Sequence, residues 1–327
     1  MSTGAGTKAV VAALGANLGI AVTKFVAFAL TQSSSMLAES IHSVADSGNQ
    51  VLLLIGGRRS TREATARHPF GYGRERYIYA FIVSVVLFFV GGVFAAYEAW
   101  HKFAHPEPIE SWQWVPILVL VVAIGLESFS FRTAIIETNK IRNDASWIGF
   151  IRRARVPELP VILLEDFAAL IGLVFALFGV GMTLITHNGI WDAVGTAAIA
   201  ILLIAVAFVL AVEMKSLLIG ESATGEQIQA IEDAIVDGPE VECVIHMRTV
   251  HLGPEELLVA AKIAVSQDET AEEVTQGIDA AEARIRIAVP IAKVIYLEPD
   301  IYEAGKAEQG GLAAGATGAV GAVQTGG

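Results

Sequence analysis

Six runs of the chain are apolar over lengths that cover a ~30 Å hydrocarbon core, which takes roughly 20 helical residues. They are Ala9–Leu30, Met36–Gly57, Tyr77–Trp100, Val115–Ile136, Leu159–Thr183 and Trp191–Val212. Such runs leave little choice of structure. In lipid every backbone polar group must be satisfied within the segment, so each run is expected to be a membrane-spanning helix. Composition agrees: 54% of the 327 residues are hydrophobic and 17% charged, against about 45–50% and 25% for soluble domains. The first two runs differ from the rest in carrying Asn17, Lys24, Glu39, His42, Asp46 and Asn49.

The loops set an orientation. Arg58, Arg59, Arg62, Arg67, Arg74 and Arg76 lie between the second and third runs, and Lys140, Arg142, Arg152, Arg153 and Arg155 between the fourth and fifth. The loop from Trp100 to Trp114 has only Lys102. Positive charge stays on the cytoplasmic side, so both termini are expected to be cytoplasmic, in a multi-pass protein of the cell inner (plasma) membrane. Trp100, Trp112, Trp114 and Trp191 fall at span ends, where interfacial aromatics belong. Residues Met1 to Thr7 lack the cationic region of a signal peptide, so the first run is read as a retained span. The net charge of −12 argues against nucleic acid as a partner. Cys243 is the sole cysteine, which excludes a disulfide framework and a thiolate cluster.

After Glu213 the pattern becomes acidic and amphipathic. Thr224–Val236 reads as a helix capped by Thr224, with Ile228, Ile231 and Ile235 on one face. Val241–Leu252 and Leu257–Val265 alternate as strands, Thr270–Ile287 reads as a second helix and Ala292–Leu297 as a third strand. The fold class expected is therefore an α-helical membrane protein. A six-helix transmembrane bundle (1–213) precedes a small α+β domain of αββαβ, ferredoxin-like order (214–304). The Gly/Ala-rich stretch 305–327 is expected to be a disordered tail.

Chemistry concentrates in two runs. His42 and Asp46 are four residues apart, hence on one helix face, with Glu39 near it. Ionisable groups within a membrane are costly and need a partner. Imidazole with carboxylate is ligand chemistry for Zn2+, and Mn2+, Fe2+ and Co2+ accept the same donors. Glu165 and Asp166 in the fifth run complete an N/O set of three or four ligands. The bland alternative is a hydrogen-bonded pair on the second run, and a proton-sharing pair or an ion pair with Lys24 on the fifth. Weaker candidates are Glu127, an embedded acid of the fourth run, Asn17, and the outer-loop groups His101, His105, Glu107 and Glu110. No Ser/His/Asp or Cys/His nucleophile set is evident, so an enzyme is not expected.

The order of six spans, the His42-x-x-x-Asp46 element, the loop His68-Pro69-Phe70-Gly71-Tyr72-Gly73-Arg74-Glu75 and the terminal α+β domain resemble the cation diffusion facilitator family. Ala38–Arg76 and the Leu163-Leu164-Glu165-Asp166 element look like the branch containing zinc transporter nine. The resemblance implies a homodimeric metal–proton antiporter that exports a divalent cation, Zn2+ favoured, by alternating access. It needs no resident cofactor, and its partners are the cation, protons, the lipid bilayer and a second copy. By position, His42 and Asp46 fill the span-two ligand sites and Asp166 the second ligand site of span five. The first ligand site of span five holds Ile162, which Glu165, Glu39 or water would have to replace. Tyr72 stands where the family loop carries histidine. His246 matches a ligand position of the terminal domain, whereas Lys262 and Tyr296 stand at histidine positions and Glu298 at an acid. A cationic Lys262 repels metal, so that domain is expected to dimerise rather than bind a second metal pair. The rival expectations are a Mn2+, Fe2+ or Co2+ exporter and a non-transporting metal-sensing membrane scaffold.

Overall fold

The computed structural model describes residues 2–31, 34–106, 114–142 and 146–303, and for residues 2–5, 31, 34–39, 41 and 42 it describes the backbone alone. The chain divides into two compact units, Met1–Gly220 with Gly253–Glu255, and Glu221–Leu252 with Glu256–Gly327.

The first unit is helical: α1 (Ser2–Thr31), α2 (Ser34–Ser60), α3 (Glu75–Val86), a π-helical turn (Leu87–Val93), α4 (Phe94–Ala104), α5 (Trp114–Arg142), α6 (Trp147–Arg153), α7 (Glu158–Thr186) and α8 (Ile190–Ile219). Among the described residues five helical stretches are long and apolar enough to cross a membrane: Gly6–Leu30, Glu75–Ala104, Trp114–Arg142, Glu158–Thr186 and Ile190–Ile219. The 27-residue α2 matches them in length but is not among them, because its middle is polar. The surface of this unit is the reverse of a soluble protein's. Val22, Phe89, Trp100, Ile201 and Phe208 are exposed on the outside of the helices, as a lipid-facing surface requires.

Helix α1 packs against α2, α5 and α7, and α8 against α7, α4 and α3. Tyr77, Val83, Leu159, Ile162, Leu210 and Met214 form the apolar interior. Gly179 and Gly195 meet at the α7–α8 contact: a Cβ built on Gly195 would lie 2.8 Å from the Phe175 carbonyl oxygen. Small residues at such crossings let helices approach to backbone contact, which drives helix association in lipid.

The second unit has α9 (Gly225–Val236), β1 (Cys243–Gly253), β2 (Glu256–Ala264), α10 (Ala271–Ala288) and β3 (Ala292–Asp300). Its element order matches the sequence reading, with strand ends moved by a few residues. Both helices start on capping boxes, Thr224 with Gln227 and Thr270 with Glu273. The sheet order is β1-β2-β3. Pro254 and Glu255 alone join β1 to β2, which allows only an antiparallel return, whereas β2 pairs parallel to β3 through the α10 crossover. Ile231, Ile235, Leu257, Ile263 and Ile285 are fully buried between the helices and the sheet. The expected tail, 305–327, lies outside the described residues.

Candidate cation site

Helix α2 turns a polar face inward. Ser40, Ser43, Ser47 and Gln50 follow one another at helical spacing and are all buried, with Asn49 beside them. Small hydroxyl residues let α2 approach α1 closely, and its buried amides find partners on α7. Asp46 belongs to the same segment and is partly buried. His42 and Glu39 lie on the α2 backbone, but their side chains are outside the described residues.

Helix α7 carries its two acids to two different neighbours. The Gln50 amide donates from Nε2 to Glu165 Oε2 at 2.8 Å, and Asn49 donates from Nδ2 to Glu165 Oε1 at 3.1 Å. Glu165 is thus clamped to α2. Asn49 is three residues beyond Asp46 on the same helix, a spacing of about 5–6 Å between Cβ atoms. Asp166, one residue along α7 and so about 100° around the axis, accepts a hydrogen bond from Ser130 Oγ of α5 at 2.6 Å. Both acids are buried, Glu165 at 7% and Asp166 at 2% exposure. Among the described residues each acid is held in place by neutral donors.

The electrostatics reach further than the hydrogen bonds. The charges of Asp46, Asp166, Glu165 and Lys24 all act on Glu127 of α5, and those of Asp46 and Asp166 act on Glu165. Lys24, on α1, is itself buried. Four carboxylates and one ammonium therefore share one region where α1, α2, α5 and α7 meet. Among the described residues no three His, Cys, Asp or Glu side chains close on a common point at ligand distance. Ile162, one turn before Asp166, is fully buried in the apolar core and contributes no donor.

Sequence reasoning picked out Asp46, Glu165, Asp166 and Glu127. It passed over Gln50 and Ser130 and gave Asn49 no role. Ser130 was findable, since it lies three residues from Glu127 and shares its face. The buried serines of α2 carried the same kind of signal.

Two ion pairs brace the bundle away from the acids. Arg76 at the start of α3 donates from Nε and Nη2 to the Glu158 carboxylate of α7 at 2.6 and 2.7 Å, with both side chains 6% exposed. Arg76 is thus a buried, paired cation. Lys102 of α4 pairs with Asp192 of α8 at 3.0 Å and with Glu98 at 3.2 Å. In the loop, the His68 and Tyr72 rings stack tilted with centroids 4.8 Å apart. His101 and His105 present exposed rings 5.1 Å apart, while Glu107 and Glu110 lie outside the described residues. In the second unit Lys262 pairs with Glu298 at 3.0 Å and with Asp300 at 3.2 Å along the β2–β3 register. His246 is partly buried, and its Nδ1 has no hydrogen-bond partner among the described residues.

The cation efflux transmembrane domain matches residues 10–219. The proton-coupled zinc antiporter SLC30A9, mitochondrial, of Homo sapiens is 33% identical over 235 residues, covering 70% of this chain and 41% of its own length. Metal tolerance protein C4 of Arabidopsis thaliana is 26% identical over 261 residues, covering 78% and 56%. A probable cation efflux system protein of Mycobacterium tuberculosis is 34% identical over 128 residues, 38% of each chain. This chain spans about two-fifths of the human relative's length.

Proposed function

Because this chain belongs to the cation efflux family, a family of transporters and not of enzymes, we propose that it exports Zn2+ in exchange for protons. Alternating access would centre on His42 and Asp46 of α2 and on Asp166 and Glu165 of α7. The observation that carries this reading is the acid excess among membrane helices. Lys24 is the one cation among the described residues that acts on Glu127 together with Asp46, Glu165 and Asp166, so ionisation of all four acids would leave an excess of negative charge in a poorly solvated region. Such a region demands either protons or a divalent cation. An exchanger alternates between the two: coordinating groups must be deprotonated to bind metal, and protonation expels it. Histidine titrates in the range where that exchange operates.

The remaining parts of the reading follow from it. Helix α2 acts as the sixth span, its polar face supporting the cation and its outer face meeting lipid. The terminal α+β domain pairs with a second copy to make a homodimer. The protein sits in the plasma membrane with both termini cytoplasmic, as the arginine-rich loops favour. The cation is cargo, and no resident cofactor is invoked. Zinc and proton coupling are in the name of the human relative, and tolerance of metal in that of the plant one. A second cargo has an observation behind it. Ile162 leaves α7 without a nitrogen donor, so the set is rich in oxygen, which suits Mn2+.

The test is transport by the full chain in liposomes carrying an internal pH indicator. Zn2+ uptake should be accompanied by proton movement in the opposite direction. His42→Ala, Asp46→Ala and Asp166→Ala should each lose most of it. Uptake at the unmodified rate in Asp46→Ala and Asp166→Ala would sink the site.

A further inference from the structure

Glu127 of α5 stands outside the ligand set just proposed. It is 6% exposed, and its Oε2 has no hydrogen-bond partner among the described residues. A buried carboxylate oxygen without a partner is costly, and a structural acid would be given a donor. The charges that act on Glu127 are those of Asp166, Asp46, Glu165 and Lys24, so it lies near the acid cluster. Ser130, one turn along α5, donates to Asp166, which puts this face of α5 against the acids of α7.

A second set of atoms points the same way. Asn49 Oδ1 and Gln50 Oε1 also lack partners among the described residues, and these residues are 1% and 0% exposed. Their amide nitrogens are spent on Glu165. Rotating either amide to satisfy its oxygen would turn that oxygen onto the carboxylate, where the two would repel. Unsatisfied oxygens from α2 and α5 thus border the same two acids of α7, while the turn of α7 before Asp166 offers only the apolar Ile162.

We propose that Glu127 is a cation ligand of this site, so that the cargo is held by groups from three helices, α2, α5 and α7, and Glu127 supplies the donor that Ile162 does not. The inference rests on the transport site proposed above. Ionised together, the carboxylates would repel one another. A divalent cation removes that repulsion and draws Glu127 and Asp166 together by side-chain rotation. The resulting set, oxygen-rich with one imidazole from His42, takes the borderline divalent ions Zn2+ and Mn2+.

Equilibrium binding of Zn2+ and Cd2+ to the detergent-solubilised full chain tests this. Glu127→Gln keeps size and shape and should weaken Zn2+ binding by about tenfold or more, with an unfolding temperature no lower than that of the unmodified chain. Glu127→Asp should bind more tightly than Glu127→Gln. Glu127→Cys should shift preference towards Cd2+, because a thiolate ligand is soft; a group acting only through its charge would leave the Cd2+/Zn2+ ratio unchanged. Unweakened Zn2+ binding by Glu127→Gln overturns the proposal, as does an unchanged ratio in a folded Glu127→Cys. Asp46→Ala and Asp166→Ala run alongside. If both bind Zn2+ as the unmodified protein does, the transport site itself is misassigned. If they lose binding and Glu127→Gln does not, only the role of Glu127 fails.

Discussion

Gln50 and Glu165 meet across α2 and α7 through a 2.8 Å hydrogen bond, with Gln50 fully buried. The Asn49 amide binds the other oxygen of the same carboxylate, at 3.1 Å. A neutral clamp of this kind fixes the acid without cancelling its charge, which leaves it able to attract a cation. Gln50→Leu removes one donor and buries half of the carboxylate against hydrocarbon. It should destabilise the protein by about 1–3 kcal/mol, the cost of leaving a buried polar group unsatisfied. Thermal unfolding in detergent measures this. Combining it with Glu165→Leu should recover part of the loss, since both polar partners are then gone; full additivity of the two would mean the pair is not coupled.

The Arg76–Glu158 pair makes a sharper prediction, because both ends are buried and the contact is bidentate. Arg76→Met should cost about 3–5 kcal/mol, since it strands the Glu158 charge, whereas replacing both residues by apolar ones should be near neutral. Denaturation of the two variants side by side decides it. A double variant as unstable as the single one would mean that the pair does more than satisfy itself.

Much of this was legible from local pattern. His42 and Asp46 announce themselves by spacing, and Glu165 and Asp166 by being acids in a run otherwise free of charge. In the terminal domain Thr224 and Thr270 sit at helix starts with Gln227 and Glu273 three residues on, so both capping boxes can be read directly. What stayed hidden was non-local. Arg76 and Glu158 lie 82 residues apart and Gln50 and Glu165 115 apart, and no periodicity connects them. Arg76 groups with the arginines of its loop, and nothing in the local pattern marks it as buried. Glu165 and Asp166 could be placed about 100° apart around α7, but which helix each would face depends on packing. The π-helical turn at Leu87–Val93 likewise left no mark in the apolar run that contains it.

The Gly179–Gly195 crossing should not tolerate a methyl group. In Gly195→Ala the new Cβ would sit 2.8 Å from the Phe175 carbonyl oxygen, a backbone atom that cannot rotate away. The helices must separate, and overpacking of this kind costs about 1–3 kcal/mol. Gly181→Ala is the control, since a Cβ there meets nothing within 4 Å on the same helix α7. Unfolding temperatures should fall for the first variant and hold or rise for the second.

Glu273 gives a pH dependence whose sign can be worked out. The Thr270 backbone N–H and hydroxyl donate to its carboxylate, both at 2.8 Å, and the backbone hydrogen bond is the larger cause holding its pKa below the usual glutamate value. A group whose pKa is lowered by folding contributes stability above its unfolded pKa, and loses it as pH falls through the folded one. The contribution of the box is therefore full at neutral pH and fades in acid. Glu273→Gln keeps the box residue type but removes the charge. It should lower the unfolding temperature of the terminal domain at pH 7, with the gap to the unmodified chain closing as pH drops below the glutamate range. A gap that stays constant down the pH series would mean that the charge of Glu273 contributes nothing to the start of α10.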